Sequence, residues 1–342
     1  MKIDEFNFHL PEQLIAQTPL EKRTASKMLV VNKSNNTFTH DTFTNLTSYL
    51  QKGDCIVFND TKVIPARLYG VKKDTGANIE ILLLQEIKEN RWEALARPAK
   101  KVPVGTELIF GEGLLKATCV EHGEQGIRIF DLTYEGILYE VLDKIGEMPL
   151  PPYIKERLED RERYQTIYAK HEGSAAAPTA GLHFTEQYVE QLREIGIHVA
   201  YVTLHVGLGT FRPVTVDNVV EHDMHAEYYE ISEKTAERLN QVKARGGRIF
   251  SVGTTVTRAL EANMKKYDLY TAEKDWTNIF IYPPYKFKAI DGMLTNFHLP
   301  KSTLLMLVSA FASKELIFKA YKEAIQQNYR FFSFGDCMLI LS

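Results

Sequence analysis

The stretch His198-Val199-Ala200-Tyr201-Val202-Thr203-Leu204-His205-Val206, running into Gly207-Leu208-Gly209-Thr210-Phe211-Arg212-Pro213, decides the fold. Ala200, Val202, Leu204 and Val206 alternate with Tyr201, Thr203 and His205, the two-residue period of a strand with one apolar face. Just upstream, Thr185 can cap a helix whose apolar Val189, Leu192 and Ile195 recur every three positions until Gly196 stops it. Downstream the pattern predicts a helix over Ser232–Arg245 ended by Gly246-Gly247, then strands over Arg248–Val252 and Thr277–Tyr282. Helices over Ser302–Ala312 and Lys314–Gln327 and a strand through Cys337–Leu341 close the chain. Strands alternating with helices in this way read as an α/β layered domain.

The beginning of the chain mixes short helical and strand signals and ends in Cys55-Ile56-Val57-Phe58, a buried-type strand, followed by Asn59-Asp60-Thr61. From there to about Glu147 the texture changes. Runs at Ala66–Val71, Ile79–Gln85, Trp92–Ala96, Glu107–Phe110, Leu114–Val120 and Ile127–Thr133 are separated by glycine-bearing turns, the spacing of a small barrel or sandwich. Met148-Pro149-Leu150-Pro151-Pro152-Tyr153 forms a stiff exit. The expected organisation is an α/β large domain assembled from both ends of the chain (1–60 and 153–342) with an inserted small β-barrel domain (61–152).

Composition bounds the function. The chain has 342 residues, 44% hydrophobic and 25% charged, with 41 Lys+Arg against 44 Asp+Glu and a net charge of −3. That is globular material for two domains, and it argues against a wholly basic nucleic-acid coat while leaving room for a local basic patch. The longest apolar stretch, Leu304–Ala312, is too short to cross a bilayer, and Asp4 and Glu5 stand where a secretory signal needs basic residues. Cys55, Cys119 and Cys337 lie far apart in apolar surroundings and read as small core residues in a reducing compartment. A soluble, cytoplasmic, monomeric protein is expected.

No P-loop, dinucleotide fingerprint, G-x-S-x-G or H-E-x-x-H pattern is present. His222-Asp223-Met224-His225 offers two imidazoles but no firm third ligand, so no metal is expected. The loop His171-Glu172-Gly173-Ser174-Ala175-Ala176-Ala177-Pro178-Thr179-Ala180-Gly181-Leu182-His183 lets backbone approach a ligand closely, or serves as a tight connector. His171, Glu172 and His183 flank it as candidate proton-transfer groups. His205 lies near the Gly207–Thr210 loop, where α/β sheets commonly hold ligands, although a core histidine satisfied by backbone fits too. Gly253-Thr254-Thr255 passes from strand to helix, either a cradle for a sugar or carboxylate or an ordinary cap. Gly292–Pro300 reads as an apolar loop with polar groups before a helix. In the inserted segment Arg67, Arg97, Lys100 and Lys101 form a solvated face or a set of RNA phosphate contacts.

Ordered along the whole chain, several of these motifs resemble the S-adenosylmethionine:tRNA ribosyltransferase-isomerase (QueA) family of queuosine biosynthesis. They are Phe58-Asn-Asp-Thr-Lys-Val-Ile-Pro-Ala-Arg67, Arg97-Pro-Ala-Lys100, Gly146–Ile154, Tyr164-Gln-Thr-Ile-Tyr168 and Gly173–Thr185. Leu204–Phe211, Val252–Arg258, Thr295–Leu304 and Phe334-Gly-Asp336 complete the set. The resemblance implies an α/β domain with an inserted barrel. It also implies transfer and isomerisation of the ribosyl group of S-adenosylmethionine onto 7-aminomethyl-7-deazaguanine at the tRNA wobble position, releasing adenine and methionine and needing no metal. The partners would be that tRNA and S-adenosylmethionine, with no membrane. On this reading His171, Glu172, His183 and His205 supply the base and acid, with Asp60, His225 and His298 next in line. Ala177, Thr179, Gly181, Gly207, Gly209, Thr210, Gly253, Thr254 and Thr255 line the cofactor, and Arg67, Arg97, Lys100 and Lys101 hold tRNA. An S-adenosylmethionine-dependent tRNA methyltransferase and a non-catalytic tRNA-binding protein are the alternatives.

Overall fold

The computed structural model describes residues 1–123, 126–156, 158–207, 214 and 216–341. In chain order its strands begin with β1 (Lys27–Asn32), β2 (Thr37–Thr42), β3 (Cys55–Asn59) and β4 (Thr61–Val63). Then come β5 (Arg67–Lys72), β6 (Asn78–Lys88), β7 (Arg91–Arg97), β8 (Glu107–Phe110), β9 (Leu115–His122), β10 (Ile127–Tyr134), helix α1 (Leu138–Ile145) and β11 (His171–Ser174). The rest of the chain supplies α2 (Glu186–Glu194), β12 (His198–Leu204), β13 (Glu227–Ile231), α3 (Glu233–Ala244), β14 (Ile249–Val252) and α4 (Thr254–Tyr267). It ends with β15 (Glu273–Thr277), β16 (Gly292–Asn296), α5 (Thr303–Ala312), α6 (Lys314–Gln326) and β17 (Cys337–Leu341).

The chain divides into two compact units. One comprises Met1–Thr61, Pro152–His171 and Ala177–Ser342; the other comprises Lys62–Pro151 and Glu172–Ala176. The short segment Glu172–Ala176, assigned from sequence to the large domain, groups with the second unit because β11 pairs with β4 in a two-stranded sheet.

In the first unit nine strands form one sheet in the order β15-β13-β12-β3-β14-β16-β17-β1-β2. β3 is buried along its whole length between parallel β12 and β14, which is why Cys55-Ile56-Val57-Phe58 is a continuous apolar run rather than an alternating one. The polar Thr37–Thr42 strand sits at one edge, where an exposed face costs nothing and discourages further pairing. Thr185 caps α2 by accepting from Tyr188 N, and the helix buries Tyr188, Val189 and Leu192 against Phe43, Phe58 and Phe184.

Two sequence expectations fail here. The strand expected over Thr277–Tyr282 is instead Glu273–Thr277. It is an edge strand whose charged outward residues mask its alternation, and Pro283-Pro284 lack the N–H groups to extend a ladder. Gly292–Asn296 is not a loop but a fully buried strand, parallel to β14 and antiparallel to β17. Gly292 is required there, because a Cβ would stand 2.3 Å from the Phe250 ring. All three cysteines are buried.

In the second unit six antiparallel strands close a barrel in the order β10-β7-β6-β5-β8-β9. β7 shows the logic: Trp92, Ala94 and Ala96 point inward and alternate with partly exposed Arg91, Glu93 and Leu95. Helix α1, with Leu138, Val141 and Leu142 buried, is an element the sequence reading missed.

Candidate active site

The parallel strands β12, β3, β14 and β16 end at one edge of the large sheet, so the residues that follow them converge. Asn59, last in β3 and 1% exposed, locks this edge. Its Oδ1 accepts from Leu204 N (3.0 Å) and Thr61 N (3.1 Å), while Nδ2 donates to the Leu204 carbonyl (2.9 Å) and to Thr255 Oγ1 (3.3 Å). One buried amide thus uses its full donor and acceptor capacity to fix β3, β12 and the start of α4 relative to each other.

Asp60 follows. Its carbonyl accepts from Lys170 N (2.7 Å) and His171 N (3.2 Å), which pins that segment to the strand end. Its carboxylate accepts from Thr203 Oγ1 at 2.7 Å and lies 3.7 Å from His171 Nε2. The Asp60 side chain is 14% exposed and that of His171 47%. Burial raises the Asp60 carboxyl above the usual carboxylate range, against the opposing pull of the Thr203 hydroxyl and His171. A carboxylate held this way is a stronger proton acceptor than an exposed one, and its neighbour can relay or stabilise the proton.

His205, just past β12, shares a 2.7 Å hydrogen bond between Nδ1 and Thr61 Oγ1, and its ring stacks on Tyr228 at 5.6 Å. Burial, with a contribution from His171, pushes the imidazole down to about 4, so it is neutral at pH 7. It can accept or donate a hydrogen bond there without bringing charge.

Gly253 turns β14 into α4 with φ of 89°, a conformation that favours glycine, and donates to the Leu294 carbonyl at 2.7 Å. A Cβ at Gly253 would lie 3.6 Å from Ala180, so this turn and the Ala177–Gly181 segment are neighbours. Thr254 is buried and Thr255 half-buried at the helix start, where unsatisfied N–H groups favour an anion. Further into α4, Arg258 forms a buried ion pair with Glu227, whose other oxygen accepts from Gly207 N at 3.1 Å. Arg258 Nη2 is buried with no hydrogen-bond partner among the described residues. The charged pair thus anchors Gly207.

The other expected residues are placed differently. His183 is 4% exposed, with Nδ1 on Ser26 Oγ (2.8 Å) and Nε2 on Asn296 Oδ1 (2.9 Å), and burial pushes it down to about 4. With both ring nitrogens committed, it ties β16 to the chain before β1. The Glu172 carboxylate pairs with Lys62 Nζ at 3.0 Å. Ala177 is buried and Thr179 half-buried, while Gly181 lies under Tyr168, whose Oη would be 2.2 Å from an added Cβ. Gly209 and Thr210 lie outside the described residues. His298 bonds the Thr295 hydroxyl at 2.9 Å and is pushed down to about 3 by burial; His225 is exposed. Among the described residues no group of three or more His, Cys, Asp or Glu is arranged to hold a metal ion, and no helix is long and apolar enough to cross a membrane.

In the barrel, Arg97, Lys100 and Lys101 are exposed at the end of β7 and in the turn after it. Arg128 staples that turn by donating to the Ala99 (2.9 Å) and Val102 (3.0 Å) carbonyls. Arg67 is half-buried and paired with Glu80 at 2.9 Å.

An α/β unit with the Asp60–His171 pair and a helix N-terminus at its carboxyl edge, joined in one chain to a closed barrel with a basic turn, defines a two-unit architecture. The sequence matches the model of the Queuosine biosynthesis protein family over residues 3–340, and the chain belongs to that family. It is also similar to the S-adenosylmethionine tRNA ribosyltransferase of Thermotoga maritima, with 39% identity and a TM-score of 0.56. That match covers 98% of this chain and 100% of that one.

Proposed function

We propose that the chain is an S-adenosylmethionine:tRNA ribosyltransferase-isomerase of the cytoplasm. It transfers and isomerises the ribosyl group onto 7-aminomethyl-7-deazaguanine at the wobble position, giving epoxyqueuosine-tRNA, adenine and methionine. The observation that carries this reading is likeness along essentially the full length to a ribosyltransferase, with the Asp60–His171 pair at the carboxyl edge where α/β sheets act.

The chemistry implied by the resemblance needs a base beside the sulfonium, an acid for departing adenine, and a site for the methionine carboxylate. Asp60 is the proton acceptor, with His171 stabilising its charge and carrying the proton onward. His205, neutral and held through Nδ1 by Thr61, donates a hydrogen bond from Nε2 to the leaving base. The start of α4 at Thr254 and Thr255, with Gly253, Ala177, Thr179 and Gly207, supports binding of the methionine moiety, a carboxylate being favoured at a helix N-terminus. Arg97, Lys100 and Lys101 give the barrel cations for tRNA phosphates. His171 passes the proton taken by Asp60 to departing adenine, the acceptor amine attacks the opened sugar and gives up its own proton to solvent, and methionine leaves as a neutral thioether, keeping the C–S bonding pair, as the epoxide closes.

Incubation with S-adenosylmethionine and precursor-bearing tRNA, followed by chromatography, tests this reading. Adenine and methionine in equal amounts support it. S-adenosylhomocysteine marks a methyltransferase, and binding without turnover marks a tRNA-binding protein.

A further inference from the structure

A cavity of about 700 Å³ runs along β12 in the large unit, from Gly196 and His198 at the start of the strand to Thr203, Asp60 and His171 at its end. β13 pairs with β12 only at Thr203 and Leu204, so the edge over residues 198–202 carries no partner strand among the described residues. Lys170, Arg193, Lys234 and Arg238 line this open edge. Among the described residues, Lys170, Lys234 and Arg238 have no carboxylate at ion-pair distance, and Arg238 donates to His198 Nδ1 at 3.2 Å. The two carboxylates on the lining are already engaged. Glu230 is paired with Lys274 at 3.1 Å, and Asp60 is held by the Thr203 hydroxyl. A chain of net charge −3 therefore gathers Lys234 and Arg238, with no carboxylate at ion-pair distance among the described residues, in one channel with Lys170, which lies within electrostatic reach of Asp60 at its end.

We propose that this channel beside the open edge of β12 binds the sugar-phosphate backbone of the tRNA anticodon loop, through Lys170, Lys234 and Arg238, and so delivers the acceptor base to Asp60 and His171. The inference rests on the tRNA-modifying reading and adds a binding surface in the large unit to the basic turn of the barrel. Spaced cations suit a repeating phosphate charge, and the half-buried Tyr201 ring on the channel wall suits an unstacked base. Charge complementarity favours a polyanion over a neutral or cationic partner.

The test uses the full-length protein and an anticodon stem-loop RNA bearing the precursor base. Lys234→Ala/Arg238→Ala removes two phosphate contacts. The slope of log affinity against log salt should fall by about 1.4, at roughly 0.7 per single-strand contact. The KM for RNA should rise at least tenfold, with kcat and the calorimetric affinity for S-adenosylmethionine unchanged. Lys234→Arg/Arg238→Lys keeps both charges and should restore the slope, which separates phosphate contact from a folding defect. If the parent binds and modifies the RNA but the alanine variant keeps its slope and KM, this placement is overturned and the functional reading stands. Loss of S-adenosylmethionine affinity in place of RNA affinity also overturns it. A parent that binds no RNA overturns both.

Discussion

Asp60→Asn is the most informative single change. It removes the proposed proton acceptor while keeping the side-chain shape, and the amide oxygen can still accept from Thr203 Oγ1, now 2.7 Å away. Loss of a general base typically costs about 10²–10⁴ in rate, or roughly 3–5 kcal/mol of activation free energy. Single-turnover adenine release under saturating S-adenosylmethionine and tRNA should slow by that factor, with binding of both substrates little changed. The pH profile carries a second signature. Burial raises the Asp60 carboxyl, and only its ionised form accepts a proton, so the parent's rate falls as pH drops through that raised value. The variant has no such acid limb. A raised folded pKa also means that the native state takes up the proton before the unfolded state, so a neutral amide at this position suits the fold and should not lower the unfolding midpoint near neutral pH. A stably folded variant that releases adenine within a few-fold of the parent, on the same pH profile, refutes the assignment of Asp60 as base.

Arg258→Ala removes the buried cation that pairs with Glu227, and breaking a buried ion pair in this way typically costs about 3–5 kcal/mol. The urea midpoint of the large unit should drop and the KM for S-adenosylmethionine rise, because Glu227 also holds Gly207 N; an unchanged midpoint contradicts the buried pair. His183 is pushed down to about 4 in the folded state, against about 6.5 when unfolded. Between those values the unfolded chain binds a proton the native state refuses, so stability is lost as the pH drops from about 6.5 to 4, by up to about 1.4 kcal/mol per unit. His183→Gln should flatten that loss between about pH 6.5 and 4, measured as urea midpoints, without abolishing adenine release; a slope as steep as the parent's sinks the structural role. Gly181→Ala drives a Cβ into Tyr168 and Thr166, an overpacking of roughly 1–3 kcal/mol. It should lower thermal stability, and intact stability with lost S-adenosylmethionine binding would show instead that Gly181 faces ligand.

Much of the fold was legible because its signals are local. The six barrel strands, α2, α3, α6 and β17 follow from period, caps and glycines that lie within each segment. β15 and β16 were not, for a shared reason: their identity depends on neighbours. Glu273–Thr277 becomes a strand by pairing with β13, and Gly292–Asn296 by filling the slot between β14 and β17, neither of which leaves a period in the sequence. The site divides in the same way. His171 and His205, which lie at the carboxyl edge beside Asp60 and Thr61, were marked in the sequence by residue type and loop position. Asp60 ranked behind them because burial and the Thr203 hydroxyl, which define its environment, come from another strand. His183 had the same local appearance as His171, yet Ser26 and Asn296 occupy both its nitrogens. The Arg258–Glu227 pair links α4 to β13 across 31 residues, beyond any motif. The one signal that could have promoted Asp60 was the Asn59-Asp60-Thr61 triplet placed directly after a fully apolar strand, at the edge where α/β sheets work.

The central claim, ribosyl transfer to the wobble base, is tested most directly by mass analysis of nucleosides from precursor-bearing tRNA incubated with the protein and ribose-labelled S-adenosylmethionine. The expected result is epoxyqueuosine carrying the ribose label, formed in step with free adenine. A methylated nucleoside without ribose label, or unmodified precursor in tRNA that the protein demonstrably binds, would contradict it.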